Sequence, residues 1–327
     1  MRLSLLDRSR TRAGHAPGAA LRHSVERAVE AERLGYARFW VAEHHGVPGI
    51  ASGAPAVLLA SVGAATSTIR IGSGGVMLPN HQPIVVAEQF LMLEALHPGR
   101  VDLGLGRSVG FTAPVRAALR RTAEEPDTFA DDIAELRAYV EGGAAVTAQP
   151  VAGPVPLFVL ATGQGIRVAA RLGLPLVLGG PVLDAPELPE LLAAYRREFR
   201  PAGSERPYVM VSLDVLVADT DAEARELALP EVWAMAQSRR TGVFGPLEPV
   251  ATIRGQRGSD RLRERVERGL DRAAAGSAET VRRRLEALAE RTGADELLAS
   301  GATYDRDALA TSDGLLADVL GVRVPVR

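Results

Sequence analysis

Short apolar, β-branched runs alternate with stretches of helical periodicity from one end of the chain to the other. Apolar runs bounded by turn residues predict strands at Arg2–Leu6, Phe39–Ala42, Ile69–Val76, Val101–Leu105, Leu157–Ala161, Leu176–Gly179, Tyr208–Ala218 and Glu296–Ser300. Apolar residues at three- and four-residue spacing predict helices at Ala19–Leu34, Pro55–Ala65, Ile84–Leu96, Asp127–Glu141, Ile166–Leu172, Glu187–Phe199, Ala278–Arg291 and Arg306–Leu320. Leu34-Gly35-Tyr36 and Leu172-Gly173-Leu174-Pro175 use one device: Gly stops a helix and the chain enters a strand at once. That is the short connection of a right-handed βα repeat. Ser277 with Glu279 and Thr280 marks another helix start, and Gly293 its stop.

Eight such units are the count of a closed (β/α)8 TIM barrel, an α/β fold of ~250 residues plus insertions. In a chain of 327 residues the surplus falls mainly at 229–276, an insertion before the last βα units. No composition shift divides the chain, so a single domain over 1–327 is expected. Arg254–Arg272 is dense in charge, but acids interleave with the arginines, which reads as a solvated helix face. The stretch 142–156, rich in Gly, Ala and Pro, reads as a linker before the fifth strand.

Composition then narrows the chemistry. The 38 basic and 40 acidic residues nearly cancel, which argues against nucleic acid or an anionic membrane as the main partner. There is no Cys, so disulfides, thiolate metal sites, iron–sulfur clusters and a Cys nucleophile are excluded. Every basic residue is Arg, which excludes a Lys Schiff base and a Walker A phosphate loop. No apolar run reaches the ~20 residues of a membrane span, and Met1 to Arg12 is too polar for a signal peptide. A soluble, cytoplasmic protein is expected.

Five motifs end or follow predicted strands. Gly106-Arg107-Ser108-Val109-Gly110 matches the G-x-S-x-G nucleophile elbow, but all six histidines precede Ser108, and an α/β-hydrolase needs its His last. Ser108 therefore reads as an ordinary loop serine. Gly104-Leu105-Gly106 and Gly163-Gln164-Gly165 open like a dinucleotide fingerprint, but neither supplies the third Gly or the later acid. Each reads instead as a tight turn whose backbone amides suit one phosphate. Glu43-His44-His45 would face the mouth of a barrel. Adjacent rings point to different sides and rarely chelate one ion together, so no metal is expected, and one ring with a near-neutral pKa reads as an acid–base group. In Ser73-Gly74-Gly75-Val76-Met77-Leu78-Pro79-Asn80-His81 the paired glycines mark a bulge or the approach of a flat ligand.

Taken together, Phe39–His45, Arg70–His81, Glu94–Arg107 and Ala170–Pro175, with Gly276–Val281 and Thr292–Leu297 near the C-terminus, resemble the bacterial luciferase-like monooxygenases, flavin- and deazaflavin-dependent barrels. The resemblance covers most of the chain outside 229–276. It implies a monooxygenase that uses reduced FMN and O2 on a small organic substrate, at the C-terminal mouth of the barrel. Gly74 and Gly75 would lie against the ring, at a position where the family often carries a non-proline cis peptide. His44 would be the catalytic group, and Arg107 would hold the phosphate together with the loop Ala161, Thr162, Gly163, Gln164 and Gly165. Glu43, His45 and Asn80 are the candidate substrate contacts. No nicotinamide-binding unit is visible, so a separate reductase would deliver the reduced flavin, and a homodimer is expected. The phosphate loop is one residue shorter and poorer in Ser than is usual in the family. Gly179-Gly180-Pro181 replaces the polar or aromatic residues common after the sixth strand. A deazaflavin-dependent dehydrogenase, or a flavin-binding barrel without monooxygenase activity, are the alternatives.

Overall fold

The structure is a computed structural model that describes residues 1–122, 126–202, 204–256 and 258–322. From the N-terminus the chain forms β1 (Arg2–Asp7), α1 (Gly18–Leu34), β2 (Arg38–Val41), α2 (Pro55–Ala65), β3 (Arg70–Met77), α3 (Pro83–Leu96), β4 (Val101–Gly106), α4 (Ala113–Ala118), α5 (Phe129–Val140), β5 (Leu157–Ala161), α6 (Gly165–Leu172), β6 (Leu176–Gly179) and α7 (Leu188–Glu198). It continues with β7 (Val209–Leu213), β8 (Val215–Val217), α8 (Asp221–Thr241), α9 (Val250–Gly255), α10 (Asp260–Arg272), β9 (Ala274–Gly276), α11 (Ala278–Thr292), β10 (Glu296–Ala299) and α12 (Arg306–Leu320). Eight parallel strands close in the order β1-β10-β7-β6-β5-β4-β3-β2. This is the expected TIM barrel. The repeated Gly stops are both left-handed helix caps, at Gly35 and Gly173.

The expected seventh strand, Tyr208–Ala218, divides in two. Val209–Leu213 stays in the barrel, while Val215–Val217 leaves it and pairs with Ala274–Gly276. Asp214 sits at the break and takes hydrogen bonds from Ser300 Oγ at 2.5 Å and Arg8 at 2.8 Å. Two apolar runs separated by one Asp look like a single strand in sequence, because burial on both faces hides the change of sheet. α8, a 21-residue helix opened by a capping box at Thr220 and Glu223, crosses the expected start of the insertion at 229. Its apolar face packs with α9 and α10 in a separate cluster around Trp233, Ile253, Leu262 and Val266. The charged stretch expected as a solvated face is α10, which buries only Leu262, Val266 and Leu270.

Alternation along the strands sends one set of side chains to the helices and the other into the barrel. Phe39 and Val41 join the core under the helices, while Trp40 and Ala42 turn inward. The interior is stacked in layers. At the N-terminal end, Arg38 Nη1 donates to Asp102 at 2.5 Å and Arg38 Nε to Glu296 at 3.0 Å, all three buried. Arg70 reaches Asp102 at 2.6 Å, Tyr208 donates to Glu296 at 2.6 Å, and Ser4 also bonds Glu296. Above this lies an apolar layer of Leu6, Trp40, Phe158, Met210 and Leu298, with Trp40 and Phe158 edge-to-face at 5.0 Å. Above that layer most inward positions are small, Ala42, Gly74, Gly106, Gly179 and Ser212, with Leu160 the larger side chain among them. The barrel is therefore plugged at one end and hollow at the other. No helix among the described residues is long and apolar enough to cross a membrane.

Arg38→Ala leaves two buried carboxylates without their shared cation. It is expected to cost about 3–5 kcal/mol in urea unfolding. A loss no larger than the ~1 kcal/mol of an exposed pair would show that the ionic layer does not hold the barrel.

Candidate active site at the barrel mouth

The hollow end forms a cavity of about 550 Å³, within the ~300–1,000 Å³ of small-molecule sites. Along β3 its wall is bare glycine backbone, packed too tightly for a side chain. A Cβ at Gly74 would meet Leu6 at 2.6 Å and Trp40 at 3.2 Å, and one at Gly75 would meet the Gly104 carbonyl at 2.8 Å. Pairing of β3 with β4 shifts register between Ser73 and Val76, and the Gly74–Gly75 peptide is cis. The backbone itself thus forms one wall.

Glu43, His44, Gly74, Gly75, Arg107, Ala161, Thr162 and Gly165 all line this cavity. His45, Asn80, Gly163 and Gln164 do not. His45 turns back onto Glu43, its Nε2 at 2.6 Å from Oε1. Asn80 closes the turn after β3, its amide 3.5 Å from the Ser108 carbonyl and its Oδ1 buried without a protein partner. Gly163 and Gln164 form the turn into α6, accepting from the amides of Ile166 and Arg167 at 3.1 Å each. Arg107 is half-exposed and pairs with Asp127 at 2.6 Å.

Glu43 is 3% exposed and joins the end of β2 to the end of β3. Its Oε1 accepts from His45 and from His81 at 2.7 Å, and its Oε2 accepts from the Met77 amide at 2.9 Å. Burial alone would raise this carboxyl. Hydrogen bonds and charge from His81, with those from Met77 and His45, outweigh it and hold Glu43 below the usual carboxylate range.

His44 differs from its neighbour. Its amide donates to the Ser52 carbonyl at 2.9 Å, and Phe111 lies parallel to its ring at 5.3 Å and 13°. Nδ1 is buried without a hydrogen-bond partner in the protein. Burial, followed by the nearby Arg8 and Arg10 guanidinium groups, pushes the ring down to about 4. The near-neutral pKa expected from sequence is thus displaced. At pH 7 His44 is an uncharged ring with one donor and one acceptor nitrogen.

Sequence reasoning missed Phe111 and did not single out His81. An aromatic in the polar loop after β4 was the available signal for Phe111. His81 was visible only as the end of a motif, since its partner Glu43 is remote in the chain. A second cavity of about 520 Å³ lies among α8, α9 and α10. Its arginines are already paired, Arg225 with Glu267 and Asp271, and Arg254 with Glu226.

A barrel plugged below and hollow above, with a histidine, an arginine and a helix start at its mouth, defines a TIM-barrel protein with a candidate ligand cavity at the strand ends. The family model described as luciferase-like monooxygenase matches residues 1–296, and the chain belongs to that family. A luciferase-like monooxygenase of Escherichia coli strain K12 is 37% identical over 97% of this chain and 96% of its own length. The crystal structure of apo-MsnO8 superposes with a TM-score of 0.87 at 35% identity, covering 98% of each chain. The FMN complex of the oxygenating constituent of 3,6-diketocamphane monooxygenase from Pseudomonas putida shares the fold, with a TM-score of 0.75 at 20% identity over 100% of this chain and 99% of its own.

The depressed His44 gives stability a definite pH slope. The folded ring resists the proton that the unfolded ring takes up near 6.5, so acid binds selectively to the unfolded chain. This contribution is complete above about 6.5 and is lost as pH falls toward about 4. His23, half-buried and likewise pushed down to about 4, acts in the same direction. Urea unfolding at about pH 7 and about pH 4.5 should show the wild type losing more stability than His44→Gln on acidification. Equal losses would remove His44 from this account.

Proposed function

We propose that this protein is a monooxygenase acting on a small organic substrate with reduced FMN and O2, its flavin reduced by a separate reductase. The observation that carries this reading is the single cavity shared by His44, the Gly74–Gly75 backbone, Arg107 and the start of α6, in a chain of the luciferase-like family. The residues present fit the cofactor. Gly74 and Gly75, where a Cβ would strike Leu6, Trp40 and the Gly104 carbonyl, leave bare backbone in the cavity wall that suits a flat ring, and the buried Nδ1 of His44 offers an unused hydrogen-bonding atom. The 3,6-diketocamphane enzyme's FMN complex supports the same cofactor on this fold.

When bound, reduced FMN supplies the electron pair that activates O2. Arg107 would hold the phosphate through its guanidinium fork, with no Lys in the chain to replace it. The backbone amides around Thr162 and Gly165 would add donors at the positive end of α6. His44 holds or accepts a proton at its ring nitrogens as a neutral group. Phe111 covers the ring and limits the water that reaches it. Glu43 positions the ends of β2 and β3, and His45 and Asn80 would set the rim that a substrate crosses. Gly163, Gln164 and Gly165 bring no charge for the long acidic tail of a deazaflavin, which favours FMN. Apolar side chains left exposed on neighbouring α2 and α3, including Val57, Met92 and Leu96, support a homodimer through that face.

Anaerobic titration with reduced FMN and with a reduced deazaflavin, followed by oxygen, tests the reading. Tighter FMN binding and oxygen-dependent turnover are expected. Tighter deazaflavin binding, or turnover that proceeds equally without oxygen, would place the protein among the dehydrogenases. Arg107→Ala should weaken FMN far more than riboflavin, which lacks the phosphate, and equal weakening would move Arg107 away from it. His44→Ala should lower turnover by roughly 10²–10⁴ with flavin affinity nearly unchanged.

A further inference from the structure

The expectation of no metal rested on His44 and His45, neighbours whose rings diverge. The structure brings together a different pair. His45 from the β2 loop and His81 from the turn after β3 both direct Nε2 at one carboxylate oxygen of Glu43, and the three ligand atoms lie within 4.8 Å of one another. We propose that Glu43, His45 and His81 form a binding site for a divalent transition-metal ion of the Zn²⁺ class, at the rim of the barrel mouth, with Glu43 shared between this site and the cavity lining.

Four observations carry this site. The donor set is two imidazole nitrogens and one carboxylate oxygen, the set that holds Zn²⁺ with an open fourth position. It disfavours Mg²⁺ and Ca²⁺, which prefer all-oxygen shells. The second oxygen of Glu43 is fixed by the Met77 amide at 2.9 Å, so an outer-shell bond orients the ligand before any ion arrives. The His45 and His81 side chains remain 24% and 29% exposed, which leaves an entry path and room for water as a further ligand. The side chains are also close to the required spacing. In a tetrahedral shell two ligands at ~2.0–2.2 Å from one ion stand ~3.3–3.6 Å apart, so the widest pair must close by at most ~1.5 Å. The short N···O contacts must open slightly, which ring rotation supplies. Each ring would bind the ion through Nε2 and carry its proton on Nδ1.

An ion here would clamp the β2 loop to the turn after β3, the two segments that flank Gly74–Gly75. It would therefore stabilise the folded chain whether or not flavin binds. The inference does not depend on the proposed cofactor, because its readout is metal binding by the flavin-free protein.

The test uses full-length protein stripped with a chelator. Co²⁺ is added while the visible ligand-field absorbance is followed, and Zn²⁺ affinity is measured by competition with a chromophoric chelator. One ion per chain and a rise in thermal midpoint are expected. His81→Ala and His45→Ala, each checked for native circular dichroism, should weaken binding by at least the ~10–100-fold lost with an outer-shell partner. His15→Ala, a histidine remote from the cluster in sequence, should bind as the wild type does. A wild-type chain that takes up less than one ion with no shift in midpoint overturns the proposal. So does binding that survives His81→Ala and His45→Ala unchanged, which would leave Glu43 with two hydrogen-bonded rings only.

Discussion

The guanidinium of Arg38 spans the barrel interior between two carboxylates that sit on strands not adjacent to its own. From β2 it reaches over β3 to Asp102 on β4 and over β1 to Glu296 on β10. Backbone ladders join only neighbouring strands, so this bridge adds a constraint that the ladders lack. Burying such charges is costly unless each is paired, and here Ser4, Tyr208, Arg70 and Trp40 satisfy the remaining oxygens. A shift of one residue in β2 would turn Arg38 toward the helices and leave both acids bare. The ionic layer thus sets the register of the interior for everything stacked above it.

Register decides which residues face the mouth. With Arg38 inward at the base, Trp40 and Ala42 are inward above it, and the next positions deliver Glu43 and His44 to the rim. On β4 the same alternation runs Asp102, Gly104, Gly106 and then Arg107. The cavity follows from size: Trp40, Phe158 and Met210 fill the middle, and glycine, alanine and serine leave the top hollow. Since side chains in a barrel interior pack as densely as crystals, a void of about 550 Å³ at one end reflects residue choice rather than loose packing.

Much of this was legible in the chain. Strand and helix alternation, glycine stops and segment order are local signals, and they led to the barrel and to the motifs at its mouth. Position in the cavity was harder to read. Gly163 and Gln164 lie in the phosphate-loop motif yet turn away from the lining, because motif spacing does not say which side of a turn faces the ligand. The break at Asp214 depends on Ser300 and Arg8, both distant in sequence. The low pKa of His44 depends on Arg8, Arg10 and the stacking of Phe111, none of which the Glu43-His44-His45 motif contains. His81 gains its meaning only through Glu43.

The same contrast governs the two charged groups at the rim. Glu43 is buried and bonded on both oxygens, so its partners are fixed and its removal would unmoor two loops at once. Arg107 is half-exposed, and its pairing with Asp127 is the kind of surface ion pair that contributes only ~0–1 kcal/mol. A phosphate offers a stronger, bidentate partner to the same fork. Exchanging one anion for the other therefore costs the protein little. Arg107 precedes Phe111 in the chain, Asp127 precedes Phe129, and both aromatic rings line the cavity. The weakly held cation thus lines the cavity, while the strongly held carboxylate keeps the ends of β2 and β3 in place.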